Sequence, residues 1–438
     1  MVKVRKTNSQ VSDFNSLLSR ILSFNLPLIC VSLILSYVGT FYLRLPMDKA
    51  ILYTAEDPGY VEPPSQSNPI IGVHRFNDFL QTLSYTLSPN PYNPDSEYPS
   101  MYGPLGHLLL KPLVYVPQLF AVTLLSLITC CVLILAVRVA TPKLDLASRI
   151  IFTCVFLLLS KPFLLTLDRG NIQGIIVGIN VLFLYCLWNK KNGIADILLI
   201  ISICVKIYPI IFLIYFLKTH EFVRIIRIMA ISALITMISY TIMSGNFNYL
   251  DFARGIAKGA AIQSGFPTSG VSASSWFLRW IDATGLREIV NGSNPGIRTF
   301  QSAVALILVL ILTFSILKRN LSPGETGFLL LGYSAAISPV SWNYNLLWVT
   351  FGLLILMSEM QRKTYEKNEF ERVKKHSSGM ILLILWSFHL LVVPWIWLGS
   401  SRISVSISEL TYFPLLLLTN LVFVCNSKKR KNAKVKAI

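Results

Sequence analysis

Apolar residues in this chain come in long runs parted by short polar or basic stretches, and the length of each run predicts its element. Residues 24–43 form a run of about twenty, enough for one helical crossing of a bilayer. Similar runs cover 118–137, 150–167, 172–188, 225–243, 300–317, 380–398 and 411–425. Two further blocks, 194–217 and 324–357, are broken at their middles by Lys206-Ile207-Tyr208-Pro209 and by Ser338-Pro339-Val340-Ser341-Trp342. Basic residues flank the first block on both sides, with Lys190 and Lys191 before it and Lys218, Arg224 and Arg227 after it. A single crossing cannot leave both ends on one side. Each block therefore reads as a hairpin of two half-length helices, and Pro209 favours the first break. Counting half-helices, the pattern predicts an all-α polytopic bundle of about twelve passes.

Two long polar stretches interrupt these runs, 46–117 and 244–299. In the first, Phe76, Phe79, Leu80, Leu83 and Leu87 recur at helical spacing, which predicts a short amphipathic helix over 76–87 lying at the membrane interface. No soluble domain is visible. The chain reads as a single integral membrane domain, 1–438, that ends in a basic tail, 426–438.

Composition agrees with the pattern. Of 438 residues, 53% are hydrophobic and only 14% charged, against about 25% charged in soluble proteins, so the surplus apolar surface must face membrane lipid. The net charge of +18 could signal a nucleic-acid partner, but its distribution argues against one. The Lys/Arg excess collects in the segments that alternate to one side, as the positive-inside rule requires. That side is cytoplasmic, with both termini on it, and it places 46–117 and 244–299 outside, as expected of a multi-pass protein of the cell (inner) membrane. The tail Lys428-Lys429-Arg430-Lys431 serves as a stop signal and a contact for anionic lipid. The basic N-terminus and the run behind it read as an uncleaved anchor. The seven cysteines lie in apolar runs without framework spacing, which speaks against disulfides and zinc, and no metal or cofactor is expected.

Few residues in such a chain can carry chemistry. Asp78, on the predicted interfacial helix, projects with Gln81, Thr82 and Tyr85 away from the apolar stripe. It is either a carboxylate that favours a helix N-terminus or a working acid or base. His74 stands one turn earlier. Lys206 interrupts an apolar block, where a charge is costly and functional by default unless it snorkels to the interface. Arg169, at a turn between runs, is an interfacial anchor or an anion contact, and Asp168 beside it is the expected ion-pair partner. Gly174 and Gly178 form a GxxxG that points to close helix packing. Trp276, Trp280, Trp342 and Trp348 have rings able to stack on a sugar or a lipid, but read first as interfacial aromatics.

Several motifs occur in a fixed order: Asn77-Asp78-Phe79 after the first run, Asn90-Pro91-Tyr92, Tyr98-Pro99-Ser100-Met101-Tyr102-Gly103-Pro104, Arg169-Gly170-Asn171-Ile172-Gln173, Lys206-Ile207-Tyr208-Pro209, and Ser338-Pro339-Val340-Ser341-Trp342. Together they resemble the GT-C-fold glycosyltransferases of the glycosyltransferase family 87 type, a group that includes bacterial mannosyltransferases. The resemblance implies a GT-C-like bundle that moves a hexose, mannose first, from a polyprenyl-phosphate donor to a lipid or glycan acceptor at the external, periplasmic face. It implies that Asp78 is the catalytic base. Lys206 and Arg169 would bind the donor phosphate, and His74, Tyr98, Tyr102, Asn171, Gln173, Tyr208, Trp342 and Tyr344 would contact donor or acceptor. Family members often carry an acid and a His after the Trp, where this chain has Asn343-Tyr344-Asn345. A lipid-linked glycan polymerase or ligase, and a transporter or flippase, are the competing functions, because broken helices also mark transporters.

Overall fold

The computed structural model describes residues 76–88, 90–93, 95, 99–141, 149–150, 153, 160–245, 248–263, 272–283, 295–318, 320–337, 343–365, 385–386, 395–397 and 404–435. The expected first span, 24–43, lies outside them, as do His74, Tyr98 and Trp342. The described chain is helical, apart from a two-stranded antiparallel ribbon of β1 (Trp395–Trp397) and β2 (Ser404–Ser406).

Three helices among the described residues are long and apolar enough to cross a membrane: α3 (Gln118–Ala140), α8 (Phe222–Ser244) and α11 (Pro295–Lys318). The protein buries only 22% of the apolar window of α8. The remainder, including Val223, Ile226, Leu234 and Ile242, is exposed, and an apolar face of that extent requires lipid rather than water. This is a membrane protein.

Between these spans run α5 (Gln173–Trp188), α6 (Asn192–Val205), a 3-10 turn (Tyr208–Phe212) and α7 (Leu213–Lys218). α3 packs on α5, and α5 on α6. The GxxxG glycines face Thr129 and Val132 of α3, where a methyl group would collide with either side chain, so they act in helix packing.

The first interrupted block doubles back. Arg224, near the start of α8, bonds Asp196 at 2.6 Å and Asn192 at 3.4 Å, both in the first turns of α6. The same arginine bonds Glu221 at 2.8 Å, and Glu221 accepts from Thr219, directly after α7. The outer ends of both arms are thereby tied at one end of the bundle. Lys206 stands at the other, in an extended conformation between the arms. The second block behaves alike. α12 (Pro323–Ile337) packs along α13 (Leu347–Tyr365), and the Gly324 backbone N–H donates to Glu359 late in α13.

Two expectations need correction. The run 150–167 is interrupted, because Ser160 is extended and caps a separate helix, α4 (Lys161–Arg169), whose second residue is Pro162. The end of the run 380–398 is strand β1, not helix. The last helix, α14 (Ile407–Val435), continues from the final apolar run into the basic tail.

The hairpin puts Ile207, 62% exposed, and the exposed His220 at opposite ends of the bundle. In a cysteine-free background, Ile207→Cys and His220→Cys should be labelled by a membrane-impermeant thiol reagent from opposite sides. Labelling of both from the same side would mean that the block crosses differently.

Candidate active site

Asp78 lies in the first turn of α1 (Asn77–Leu87), where the helix dipole favours a carboxylate. The helix starts sharply, because Phe76 is left-handed at φ 62° and its carbonyl accepts from the Leu80 N–H. Phe79 is fully buried and anchors the helix. Two details differ from the sequence pattern. Thr82, expected beside Asp78 on the polar face, is buried and donates to the Asp78 carbonyl at 2.6 Å. Leu87, expected on the apolar stripe, is exposed at the helix end.

The Arg169–Gln173 motif meets Asp78 from a separate part of the chain. α4 ends in a Schellman-type turn: Gly170 is left-handed at φ 62°, its N–H bonds the Leu167 carbonyl, and the Asn171 N–H bonds that of Thr166. Glycine is required here for conformation and for space, since an added Cβ would lie 2.7 Å from the Phe79 Cβ. The turn therefore sits directly on α1. It directs the Arg169 Nε to both Asp78 carboxylate oxygens, at 3.1 Å each. The Asn171 Nδ2 donates to Asp78 Oδ2 at 2.7 Å, while its Oδ1 accepts from the Gln173 N–H at 2.9 Å and so caps α5. The expected partner of Arg169 was Asp168; the ion pair described is with Asp78, and the Asp168 side chain lies outside the described residues.

Lys206 completes the group. Its Nζ donates to Gln173 Oε1 at 2.8 Å and to Asn171 Oδ1 at 3.4 Å, and lies 4.8 Å from the centre of the Tyr102 ring. At 9% exposure the side chain is buried among polar partners rather than snorkelling outward. Gln173 is fully buried; with its carbonyl held by Lys206, its amide nitrogen has no partner among the described residues.

Tyr102 arrives with α2 (Pro104–Leu110). The Gly103 N–H donates to the Val205 carbonyl at 2.8 Å, and an added Cβ would fall 1.9 Å from the Cys204 carbonyl oxygen, so only glycine allows this docking. The Tyr102 hydroxyl pairs with Thr82 and lies within electrostatic range of Asp78, Tyr208 and Arg169. Burial first, and then the Asp78 charge, keep this phenol protonated far above its usual range.

One residue of structural weight escaped the sequence analysis. His107 of α2 is fully buried, with Nδ1 2.9 Å from the Thr86 hydroxyl and Nε2 2.7 Å from that of Ser100. It ties α1 to the Tyr-Pro-Ser turn. Its only signal in the sequence was a histidine in an apolar helix. Tyr92 packs against the His107 ring and bonds the Tyr102 carbonyl at 2.6 Å.

Of the tryptophans, Trp342 lies outside the described residues. Trp348 is core, packed near Phe212, and Trp276 stacks among Trp280, Phe277 and Phe413. The side chain of Tyr344 lies outside the described residues, although its 3-10 turn, Asn343–Leu346, packs against α4.

Comparison with known families yields one match. The family model described as glycosyltransferase family 87 matches residues 101–339, more than half of the chain. The matched range holds Tyr102, Arg169, Asn171, Gln173 and Lys206, and begins after Asp78. No curated protein and no solved structure matches the chain significantly.

Burial lowers the His107 pKa from 6.5 to about 4. Between those values the unfolded chain binds a proton that the folded protein refuses, so stability is full above about pH 6.5 and declines as pH falls toward 4. The loss is on the order of 3 kcal/mol. Thermal unfolding in detergent should show this decline, and His107→Gln should flatten it while lowering stability at neutral pH.

Proposed function

The chain belongs to glycosyltransferase family 87, and from that premise we propose that it transfers a hexose, mannose first, from a polyprenyl-phosphate donor to a lipid or glycan acceptor. Membership in the family favours a glycosyltransferase over a transporter. We place the reaction in a GT-C-like bundle, at the external face of the cell membrane, with inversion at the anomeric carbon. The observation that carries this reading is the convergence of one carboxylate, two cations and two amide side chains at one end of a membrane bundle, drawn from three distant segments of chain.

Each part suits the chemistry. A sugar hydroxyl is a poor nucleophile until a carboxylate accepts its proton, and Asp78 is held in place for that task. As the acceptor oxygen bonds the anomeric carbon, the bond from that carbon to the phosphate oxygen breaks, and its electron pair leaves on the polyprenyl phosphate. Lys206 and Arg169 stabilise that anion more strongly in a site shielded from water than they would in solution. The unpartnered Gln173 amide offers a further donor to a sugar or phosphate oxygen, and Asn171 orients the base. The charge distribution supports the external face, because the basic residues Lys190, Lys191, Lys218, Arg224 and Arg227 lie toward the bundle end opposite Asp78.

Asp78→Asn retains the size of the side chain but cannot accept the proton. It should still bind donor while single-turnover transfer falls by about 10²–10⁴. The competing carboxylates are Asp168, beside Arg169, and Asp48, just after the first apolar run; Asp168→Asn and Asp48→Asn, assayed beside Asp78→Asn, should transfer at near-normal rates, and loss in either, with Asp78→Asn active, would move the base elsewhere. Lys206→Met should weaken donor binding strongly, and unchanged affinity would remove Lys206 from the phosphate site.

A further inference from the structure

The contact that holds Asp78 in place also occupies it. Its Oδ1 accepts from Arg169, and its Oδ2 accepts from both Arg169 and Asn171. A carboxylate bonded to a guanidinium is a weaker base than a solvated one. An acceptor hydroxyl would have to compete with an arginine for the same oxygens.

Building on the proposed donor, we infer that Arg169 is a transferable partner: when the donor binds, its guanidinium passes from the Asp78 carboxylate to the donor phosphodiester, and the base becomes free only then. Three features of the site support the exchange. The first is access. The Arg169 side chain keeps 14% of its surface exposed, so an incoming anion can reach it, while Lys206 is buried and Gln173 fully so. The second is chemistry. A guanidinium carries five N–H donors in a planar fork that fits phosphate as well as carboxylate, so the exchange replaces one matched partner by another.

The third feature is the division of labour in the turn. Asn171 is pinned through its own Oδ1 to the Gln173 N–H, and its Nδ2 can keep Asp78 oriented after Arg169 leaves. Arg169 is the last residue of α4, and its long side chain can pivot without moving the backbone. Electrostatics permits the exchange. A phosphodiester brought beside Asp78 adds a second anion that attracts the same guanidinium, so Arg169 can leave the carboxylate without losing an ionic partner.

Among the described residues, the other charged and titratable groups facing Asp78 are Lys206, at the tip of the first hairpin, and Tyr102, just before α2, which itself faces Tyr208. Lys206 donates to the Gln173 and Asn171 side chains, so of the two cations Arg169 is the one that bonds the carboxylate directly.

The exchange couples donor binding to proton uptake, because Asp78 becomes more basic in the complex. The test uses the full chain in detergent and geranylgeranyl methyl phosphodiester, a lipid anion that does not titrate near neutrality, with affinity measured against pH. Wild-type affinity should rise about tenfold as pH falls from about 7 to about 5. Asp78→Asn should be independent of pH and bind more tightly than wild type at pH 7, since no carboxylate competes for Arg169. Arg169→Gln should bind more weakly and lose the pH dependence, because its Asp78 is already unmasked. A wild-type slope retained in Arg169→Gln would reduce the coupling to simple repulsion between two anions and overturn the exchange. A flat wild-type profile would overturn it as well. Absence of binding in the wild type at every pH would instead refute the phosphodiester donor itself, and the exchange with it.

Discussion

The ion pair between Asp78 and Arg169 joins residues 91 positions apart, and both side chains sit where little water reaches them. Charges in that position must be matched, because removing one partner of a largely buried pair costs about 3–5 kcal/mol. The surrounding architecture can be understood as what is needed to hold this pair. The left-handed Gly170 lets the end of α4 lie on α1, and Asn171 then reaches the carboxylate and caps α5 with the same amide. Lys206 enters from a third direction and is satisfied by the amide oxygens of that motif.

The two hairpins solve a membrane problem. A broken backbone inside a bilayer leaves polar groups that lipid cannot satisfy, so it must face protein or a cavity. At the first break the Val205 carbonyl is taken by the Gly103 N–H, which means that the loop segment carrying Tyr102 satisfies the backbone and roofs the site with one contact. At the opposite end the arms are fastened by charge, through Arg224 with Asp196 and Glu221, and in the second hairpin through Glu359 with the start of α12. The tip with Lys206 is thus set by fixed points at both ends of the bundle.

The polar stretch over the site is held by aromatic and imidazole packing. Tyr92 touches His107, Tyr240 and Phe252, and α9 (Tyr249–Gln263) approaches so closely that Gly255 lies against the Tyr92 carbonyl. The second long polar stretch therefore packs on the first. Packing of this kind suits the base role proposed for Asp78, since small displacements of reacting groups weaken catalysis steeply.

Much of this was legible in the residues. Period and run length marked the three long apolar helices and both interrupted blocks seen among the described residues, because a bilayer imposes length and apolarity on each crossing. The cost of a charge in an apolar block singled out Lys206, while helical spacing and the ordered motifs pointed to Asp78 and Arg169. Other features followed from packing alone. The pairing of Arg169 with Asp78, the burial of Thr82, and the part played by His107 depend on contacts between segments far apart in sequence, which no local period encodes. The helix break at Ser160 and the strand at Trp395 likewise override apolar runs that, taken alone, predict continuous helix. Hydrophobicity along the chain determined which segments enter the membrane; only the tertiary structure decided which polar side chains meet there, because burial makes each of them depend on a partner that the fold must supply.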